Sequence, residues 1–480
     1  MRNSWQPKPG DVVVRRPRPA EVSPARLSVT LTRGHSRNLA SPSTLLLGVV
    51  VLISLGTFLL LLPVSNTQGT ITPFMDAFFT ATSALTVTGL VVQDTNVYWS
   101  KFGQVFILSM ILIGGIGWMT IAGFLLVLLR QRITLPQRLA LRESVGSGQI
   151  GNVTRMIRNM VLTFLTLQLI GGGLLALKFR NLFNWDWPTA IWHGSFQAIS
   201  GFNNAGFTIL PNSSSLNGFS GDTLVLGIMA VLIAMGGLSF PVMSDLLHMK
   251  RFSRFSLDTK MVLTASLSLW ALGAAVIFAF EYNKPETLGP MHFGFKLMNA
   301  LFNSVSSRAA GFSSIDIGQM GSATAFFVIG LMFIGTASAS VGGGIRLNTF
   351  GVLIATVVAS VQAKDHVIAF GRELSSEQVH RAIAVVALAS ILIGFVAFIL
   401  TLTESGQNLF LDLFFETVSA LGTVGLSRGI TGEISVIGQL LLIGSMLCGR
   451  LGPLMLAISL APKEMHPTLY RYARERVNIG

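Results

Sequence analysis

Long apolar runs separated by short polar breaks set the rhythm of this 480-residue chain. Seven continuous runs stand out, at residues 45–64, 105–129, 160–177, 223–242, 261–280, 382–402 and 437–460. Each comes close to the roughly 20 helical residues that a bilayer core about 30 Å thick requires. An eighth, over about 325–361, is interrupted by the small-residue stretch 335–344. The pattern predicts eight transmembrane spans, the sixth of them broken. Between spans one and two, three and four, five and six, and seven and eight lie shorter amphipathic stretches at 74–85, 189–199, 293–305 and 409–421. These are too short to cross a bilayer. They read either as helices lying at the interface or as re-entrant hairpins that dip into the membrane and return as loops.

The short stretches resemble one another. The first reads Phe-Phe-Thr-Ala-Thr-Ser-Ala-Leu-Thr-Val-Thr-Gly-Leu (78–90) and the second Ser-Phe-Gln-Ala-Ile-Ser-Gly-Phe-Asn-Asn-Ala-Gly-Phe (195–207). The third is Leu-Phe-Asn-Ser-Val-Ser-Ser-Arg-Ala-Ala-Gly-Phe (301–312), one residue shorter, and the fourth Phe-Phe-Glu-Thr-Val-Ser-Ala-Leu-Gly-Thr-Val-Gly-Leu (414–426). Their glycines, Gly89, Gly206, Gly311 and Gly425, are spaced by 117, 105 and 114 residues, one helix–hairpin–helix unit each. One such glycine would read as an ordinary helix C-cap. Four in phase point to a repeat, with units at 42–147, 148–256, 257–375 and 376–462. A dehydrated monovalent cation needs oxygen dipoles in place of its water shell. Glycine lets a tight loop aim its carbonyls at one axis, since it tolerates positive φ. A short helix ending at such a loop turns its partly negative C-terminus toward the cation. The expected fold is an all-α polytopic membrane protein with four helix–pore-loop–helix repeats in pseudo-fourfold arrangement, forming a cation pore.

Composition agrees with this picture. Hydrophobic residues are 51% and charged residues 11% of the chain, against about 25% charged in soluble proteins; the mean hydropathy is +0.64. The single Cys448 excludes an internal disulfide framework and a thiolate metal cage. Net charge is +13, which on its own suggests an anionic partner. Sorted along the predicted spans, 25 of the basic residues fall on one side and seven on the other (Lys101, Lys178, Arg180, Lys284, Lys296, Arg308 and Arg428). The positive-inside rule then makes both termini cytoplasmic in a plasma (inner) membrane. The excess is topology, not nucleic-acid binding. Residues 1–41 are expected to form a disordered basic tail without a cleavable signal, and 463–480 a second cytoplasmic tail. The histidines lack metal-ligand spacing, Gly342-Gly343-Gly344 lacks the Lys-Ser/Thr of a phosphate loop, and no nucleophile–base constellation suggests an enzyme.

Thr-Val-Thr-Gly-Leu (86–90), Ser-Gly-Phe-Asn-Asn-Ala-Gly-Phe (200–207), Arg-Ala-Ala-Gly-Phe (308–312) and Gly-Thr-Val-Gly-Leu-Ser (422–427) resemble the four filters of the Trk, Ktr and HKT potassium transporter superfamily. Ile-Gly-Gly-Ile-Gly-Trp-Met-Thr (113–120) and Met-Gly-Gly-Leu-Ser-Phe-Pro-Val (235–242) are similar to its post-filter helices. The likeness extends over residues 42–465, and eight spans rather than ten favour the Ktr branch. It implies a selectivity filter for K+ made by the carbonyls of Val87, Thr88 and Gly89, of Asn204, Ala205 and Gly206, of Ala309, Ala310 and Gly311, and of Thr423, Val424 and Gly425. Glycine at all four filter positions accompanies K+ preference in the family. The resemblance also implies an intramembrane gate at 335–344, with Gly335, Ser338, Ser340, Gly342, Gly343 and Gly344, opposed by Arg450 as a pore-facing charge. The implied partners are membrane lipid, a second copy in a homodimer and a cytoplasmic RCK-type ring of the Ktr kind that binds ATP, ADP or a dinucleotide. Na+ enters as a candidate activator, and no organic cofactor or nucleic acid is expected.

Two features stand apart from the family pattern. Ala309 occupies a position that is usually Thr, and Arg428 puts a positive charge beside a cation entrance, where Glu433 or Glu416 could pair with it. Asp76, Asp412 and Glu416 lie at or near the starts of the short helices, where acids complement the dipole.

Overall fold

A computed structural model describes residues 42–117, 153–211, 215–248, 251–404 and 410–452, all within the compact unit Leu39–Gly480. The basic tail, the second half of the run at 105–129 including Trp118-Met119-Thr120, the basic segment 130–152 and everything from Pro453 lie outside the described residues.

The helices follow in one recurring order. First come α1 (Pro42–Leu61), α2 (Phe74–Thr86) and α3 (Lys101–Ile116); then α4 (Val153–Phe183), α5 (Trp187–Phe202), α6 (Thr223–Gly237) and α7 (Phe240–His248). Next are α8 (Leu257–Glu281), α9 (Phe293–Ser306), α10 (Ser322–Phe333) and α11 (Leu347–Val361), and finally α12 (Ser376–Thr403), α13 (Phe410–Gly422) and α14 (Val436–Leu451). A two-residue hairpin, β1 (Ile368–Ala369) with β2 (Arg372–Glu373), joins α11 to α12.

Among the described residues, α8, α12 and the Arg155–Phe183 portion of α4 are each long and apolar enough to cross a membrane. The run at 223–242, expected to be one span, is instead broken into α6 and α7, bent by 106°. The reason is local. Pro241 has no N–H for the carbonyl of Gly237 and disfavours helix in the residue before it. The carbonyls of Gly236 and Gly237 turn to other donors, Val341 N–H at 3.4 Å and Ala337 N–H at 3.2 Å.

The short helices α2, α5, α9 and α13 each carry Phe-x-x-x-Ser with both side chains sealed: Phe79 and Ser83, Phe196 and Ser200, Phe302 and Ser306, Phe415 and Ser419 are all 0% exposed. Spacing of four puts each pair on one helical face. The short helices α2, α5 and α13 pack between the helices that flank them in sequence, α9 packs on α8, and contacts also run onward: α3 with α5, α6 with α9, α10 with α13, and α14 with α2. The last contact closes the circuit. Small residues permit the close approach. A Cβ on Gly114, Gly236 or Gly449 would stand 2.8 Å from the carbonyl carbon of Leu85, Phe202 or Leu421 respectively. Among lipid tails, such backbone contact gains by van der Waals packing rather than by expelling water.

Candidate functional site: a ring of four loops and the loop against it

Each short helix ends at a loop built around its buried serine. After α2, Val87 adopts the left-handed conformation (φ 57°) and Thr88 N–H donates to the Ser83 carbonyl at 2.9 Å. Asn204 (φ 54°) with Ala205, and Thr423 (φ 48°) with Val424, repeat the arrangement after α5 and α13. A left-handed residue costs a non-glycine on the order of 1–2 kcal/mol. The same strain at three equivalent places indicates a backbone held for a purpose. The serine hydroxyls complete two of the loops, accepting from Gly89 N–H and from Gly425 N–H at 3.1 Å each. In the second loop Ser200 instead donates to the Phe207 carbonyl at 2.6 Å. These serines stand in all four aligned segments, and that recurrence was the signal for them, but without the fold nothing tied them to the loop amides.

The four glycines then meet. Gly89, Gly206, Gly311 and Gly425 have φ of 92°, 73°, 71° and 89°. A Cβ on Gly89 would stand 2.9 Å from the Cα of Gly206, one on Gly206 3.5 Å from that of Gly311, one on Gly311 3.0 Å from that of Gly425, and one on Gly425 2.9 Å from that of Gly89. The ring is closed and admits no side chain. Around it each glycine faces the carbonyl of the residue before the next one: Ala205, Ala310, Val424 and Thr88. All twelve residues singled out from the sequence lie in these four loops.

The third loop differs. Being one residue shorter, it has no left-handed non-glycine residue: Ser307 remains helical at φ −63°, and Ala309 and Ala310 N–H both donate to the Ser306 carbonyl, at 3.2 and 2.9 Å. The charge pattern along the chain puts Arg308 among the outward-facing charges. It is instead 2% exposed, and its guanidinium donates to the Gly335 carbonyl at 2.6 Å.

Gly335 opens the second part of the site. The helix α10 stops at Phe333 and α11 starts at Leu347, leaving the expected small-residue stretch as non-helical backbone. Its base is zipped by Gly335 N–H to the Ile345 carbonyl at 2.9 Å and Leu347 N–H to the Thr336 carbonyl at 3.0 Å. Ser340 Oγ lies 2.8 Å from Thr336 Oγ1 and donates to the Ala337 carbonyl at 2.6 Å, while Ser338 N–H reaches Asn348 Oδ1 at 3.3 Å. The loop's returning arm, residues 342–344, rests on the ring. A Cβ on Gly342 would stand 3.0 Å from that of Ala309, and one on Gly344 3.2 Å from the Cα of Gly422. Arg450 fills the place that Gly115 and Gly237 hold after the other packing glycines, and donates to the carbonyls of Val341 and Gly114. Arg346 donates to those of Gly342 and Ala337. Three guanidiniums therefore grip this one stretch of backbone. Of the three, the sequence pattern points to Arg450 alone.

On the other side of the ring, Arg428 pairs with Asp412, not with Glu433 or through its side chain with Glu416. It also donates to the carbonyls of Ile317, Met320 and Gly318 at 3.2, 3.1 and 3.1 Å. Glu416 is 0% exposed and sits well inside α13, so it is no terminal dipole acid. It accepts from Arg428 N–H at 3.1 Å, Thr431 Oγ1 at 3.0 Å and Ser427 Oγ. Asp76 and Asp412 do lie in first turns. Among the described residues no group of three or more His, Cys, Asp or Glu side chains could hold a metal ion.

Helical architecture around a closed ring of loop carbonyls fits the cation-transport class expected from the sequence. Comparison with known proteins agrees: the chain matches the model of the TrkH cation transport protein family over residues 43–468. It is 38% identical over 429 residues to Ktr system potassium uptake protein B of Bacillus subtilis, covering 89% of this chain and 95% of that protein. Potassium/sodium uptake protein NtpJ of Enterococcus hirae is 33% identical over 459 residues, covering 94% of this chain and 100% of that one. The crystal structure of the potassium transporter TrkH from Vibrio parahaemolyticus shares the fold, with a TM-score of 0.70 at 19% identity, covering 90% of this chain and 87% of that one. This chain belongs to the TrkH family of cation transport proteins, which are transporters and not enzymes.

Proposed function

We propose that the chain is the membrane subunit of a Ktr-type K+ uptake system. K+ passes through the ring of loops, stripped of water and held by the carbonyls of the filter residues. The observation that carries this reading is the closed contact of Gly89, Gly206, Gly311 and Gly425, each set against a backbone carbonyl of the next loop, since oxygen dipoles are what a dehydrated cation needs. The names of the Bacillus and Enterococcus relatives support K+ as the cargo. In this reading the chain spans the membrane eight times with both termini in the cytoplasm, as a pseudo-fourfold pore. Residues 335–344 close the pore from the cytoplasmic side of the filter, helped by Arg450. Two copies associate in the membrane, and a cytoplasmic ring of RCK-type subunits binding ATP, ADP or a dinucleotide moves the gate.

Expression in cells lacking their own K+ uptake, followed by labelled Rb+ uptake, tests the assignment. Gly89→Ser would bring a Cβ within 2.5 Å of the Ala205 carbonyl oxygen at a φ of 92°. Uptake is expected to fall at least about tenfold, as a clash costing about 1.4 kcal/mol would produce, and discrimination against Na+ to weaken. Unchanged uptake and discrimination would remove the filter. The name of the Enterococcus relative favours a second reading, in which Na+ is cargo or activator. Labelled Na+ flux, measured beside Rb+ uptake over a range of external Na+, separates carriage from activation.

A further inference from the structure

Arg308 immediately precedes the third filter residues, yet its guanidinium reaches the first residue of the gate. It is 2% exposed and donates to the Gly335 carbonyl at 2.6 Å, with its Cζ 5.8 Å from the centre of the Trp270 ring. Among the described residues it has no carboxylate partner. A buried guanidinium without a counter-charge is expensive, so its place calls for a reason beyond packing.

The shortened third loop supplies the means. In the other three loops the chain turns through a left-handed residue at the end of the short helix. Here that residue is missing, the helical path continues into Ser307, and the Arg308 side chain is delivered to the gate. The bond is also made at a distinctive point of the gate. Gly335 and Thr336 belong to the zipped base, held to Ile345 and Leu347, whereas Arg450 grips Val341 and Arg346 grips Gly342 toward the tip, with a 3.5 Å bond from Arg346 back to Ala337. Withdrawal of the tip would break the Arg450–Val341 and Arg346–Gly342 bonds but leave the base tethered through Arg308.

We propose that Arg308 is a positioning residue that registers the gate on the filter, pinning the base of the 335–344 loop to the third filter segment so that the tip closes on the ring. The proposal rests on the pore-and-gate reading above, and its test separates the two. Basal Rb+ uptake is measured for four full-length proteins: the parent, Arg308→Gln, a gate shortened by residues 338–343, and the combination. Shortening alone is expected to raise uptake; if it does not, the gate reading falls. With the gate intact, Arg308→Gln is expected to raise basal uptake about tenfold, the effect of losing one hydrogen bond to a charged group. In the shortened background it is expected to add nothing, because a pin has no tip left to place. An equal rise in both backgrounds would mean that the buried charge acts on the ion directly, and would overturn the proposal. So would no change with the gate intact. Arg308→Lys keeps the charge on a single-point donor and should fall between parent and Gln; parental uptake from Lys would also overturn it. If the Gln protein does not accumulate in the membrane, Lys carries the same four-way comparison.

Discussion

Gly343 rests against Thr423 with no space between them: a Cβ on the glycine would stand 2.8 Å from the threonine Cγ2 and closer still to its Oγ1. The contact joins the proposed gate to the proposed filter through their smallest and most constrained members. Thr423 is held in the left-handed conformation by its loop's hydrogen bonds, so of the two partners the gate is the one able to give way.

Gly343→Ala is therefore expected to push the tip off the ring and raise basal Rb+ uptake several-fold, on the order of the 1–3 kcal/mol that overpacking costs. Valine should exceed alanine. Uptake equal to the parent's for both substitutions would show that the tip is no obstacle to the ion.

Ser83 and Ser419 accept the N–H of Gly89 and Gly425 from fully buried positions. Ser419→Ala leaves that amide without its partner, at a cost of about 1–3 kcal/mol. The purified protein should unfold at a lower temperature, and added K+ should raise that temperature less than in the parent, since ligand stabilisation follows the integrity of the site. A parental response to K+ would mean that the serine supports the helix end but not the ion site.

Arg428 holds the Asp412 carboxylate and three carbonyls together at 12% side-chain exposure, with Asp412 at 16%. Arg428→Met strands those acceptors, and a loss on the order of 2 kcal/mol is expected, between the values for surface and buried pairs. Thermal unfolding of the purified protein measures it. Rb+ uptake should not rise. A clear rise with unchanged stability would identify Arg428 as an electrostatic barrier.

The short helices and the glycines were legible in the chain because apolar periodicity and glycine spacing carry them directly. The helix at 74–86 ends one residue beyond its expected limit, and Gly89 stands where its neighbours require. The interruption near 335–344 was legible for the same reason: four glycines among small residues favour unwinding, and unwound backbone is tolerated in a membrane protein only where it lines protein or water. The bend at residues 238–239 was not, although Pro241 was in plain view. Hydropathy reads through a proline, and only the gate's N–H donors show where the freed carbonyls go. Arg308 and Glu416 were misread for a related reason. Charge counting assigns Arg308 to a side of the membrane by its position between runs, yet its side chain turns inward to the loop that begins at Gly335; Glu416, read as a helix-start acid, turns inward to the loop that follows its own helix.

The missing residue in the third loop has a geometric consequence. A ring with four identical quarters offers four equivalent seats to anything placed beneath it, and a single off-axis flap could settle in any of them. Because the four quarters here are written separately along one polypeptide, one of them can be shorter than the rest. That quarter alone lacks the left-handed non-glycine residue and alone reaches the flap with an arginine from its own loop. The deletion gives the ring an address, and the flap its one orientation.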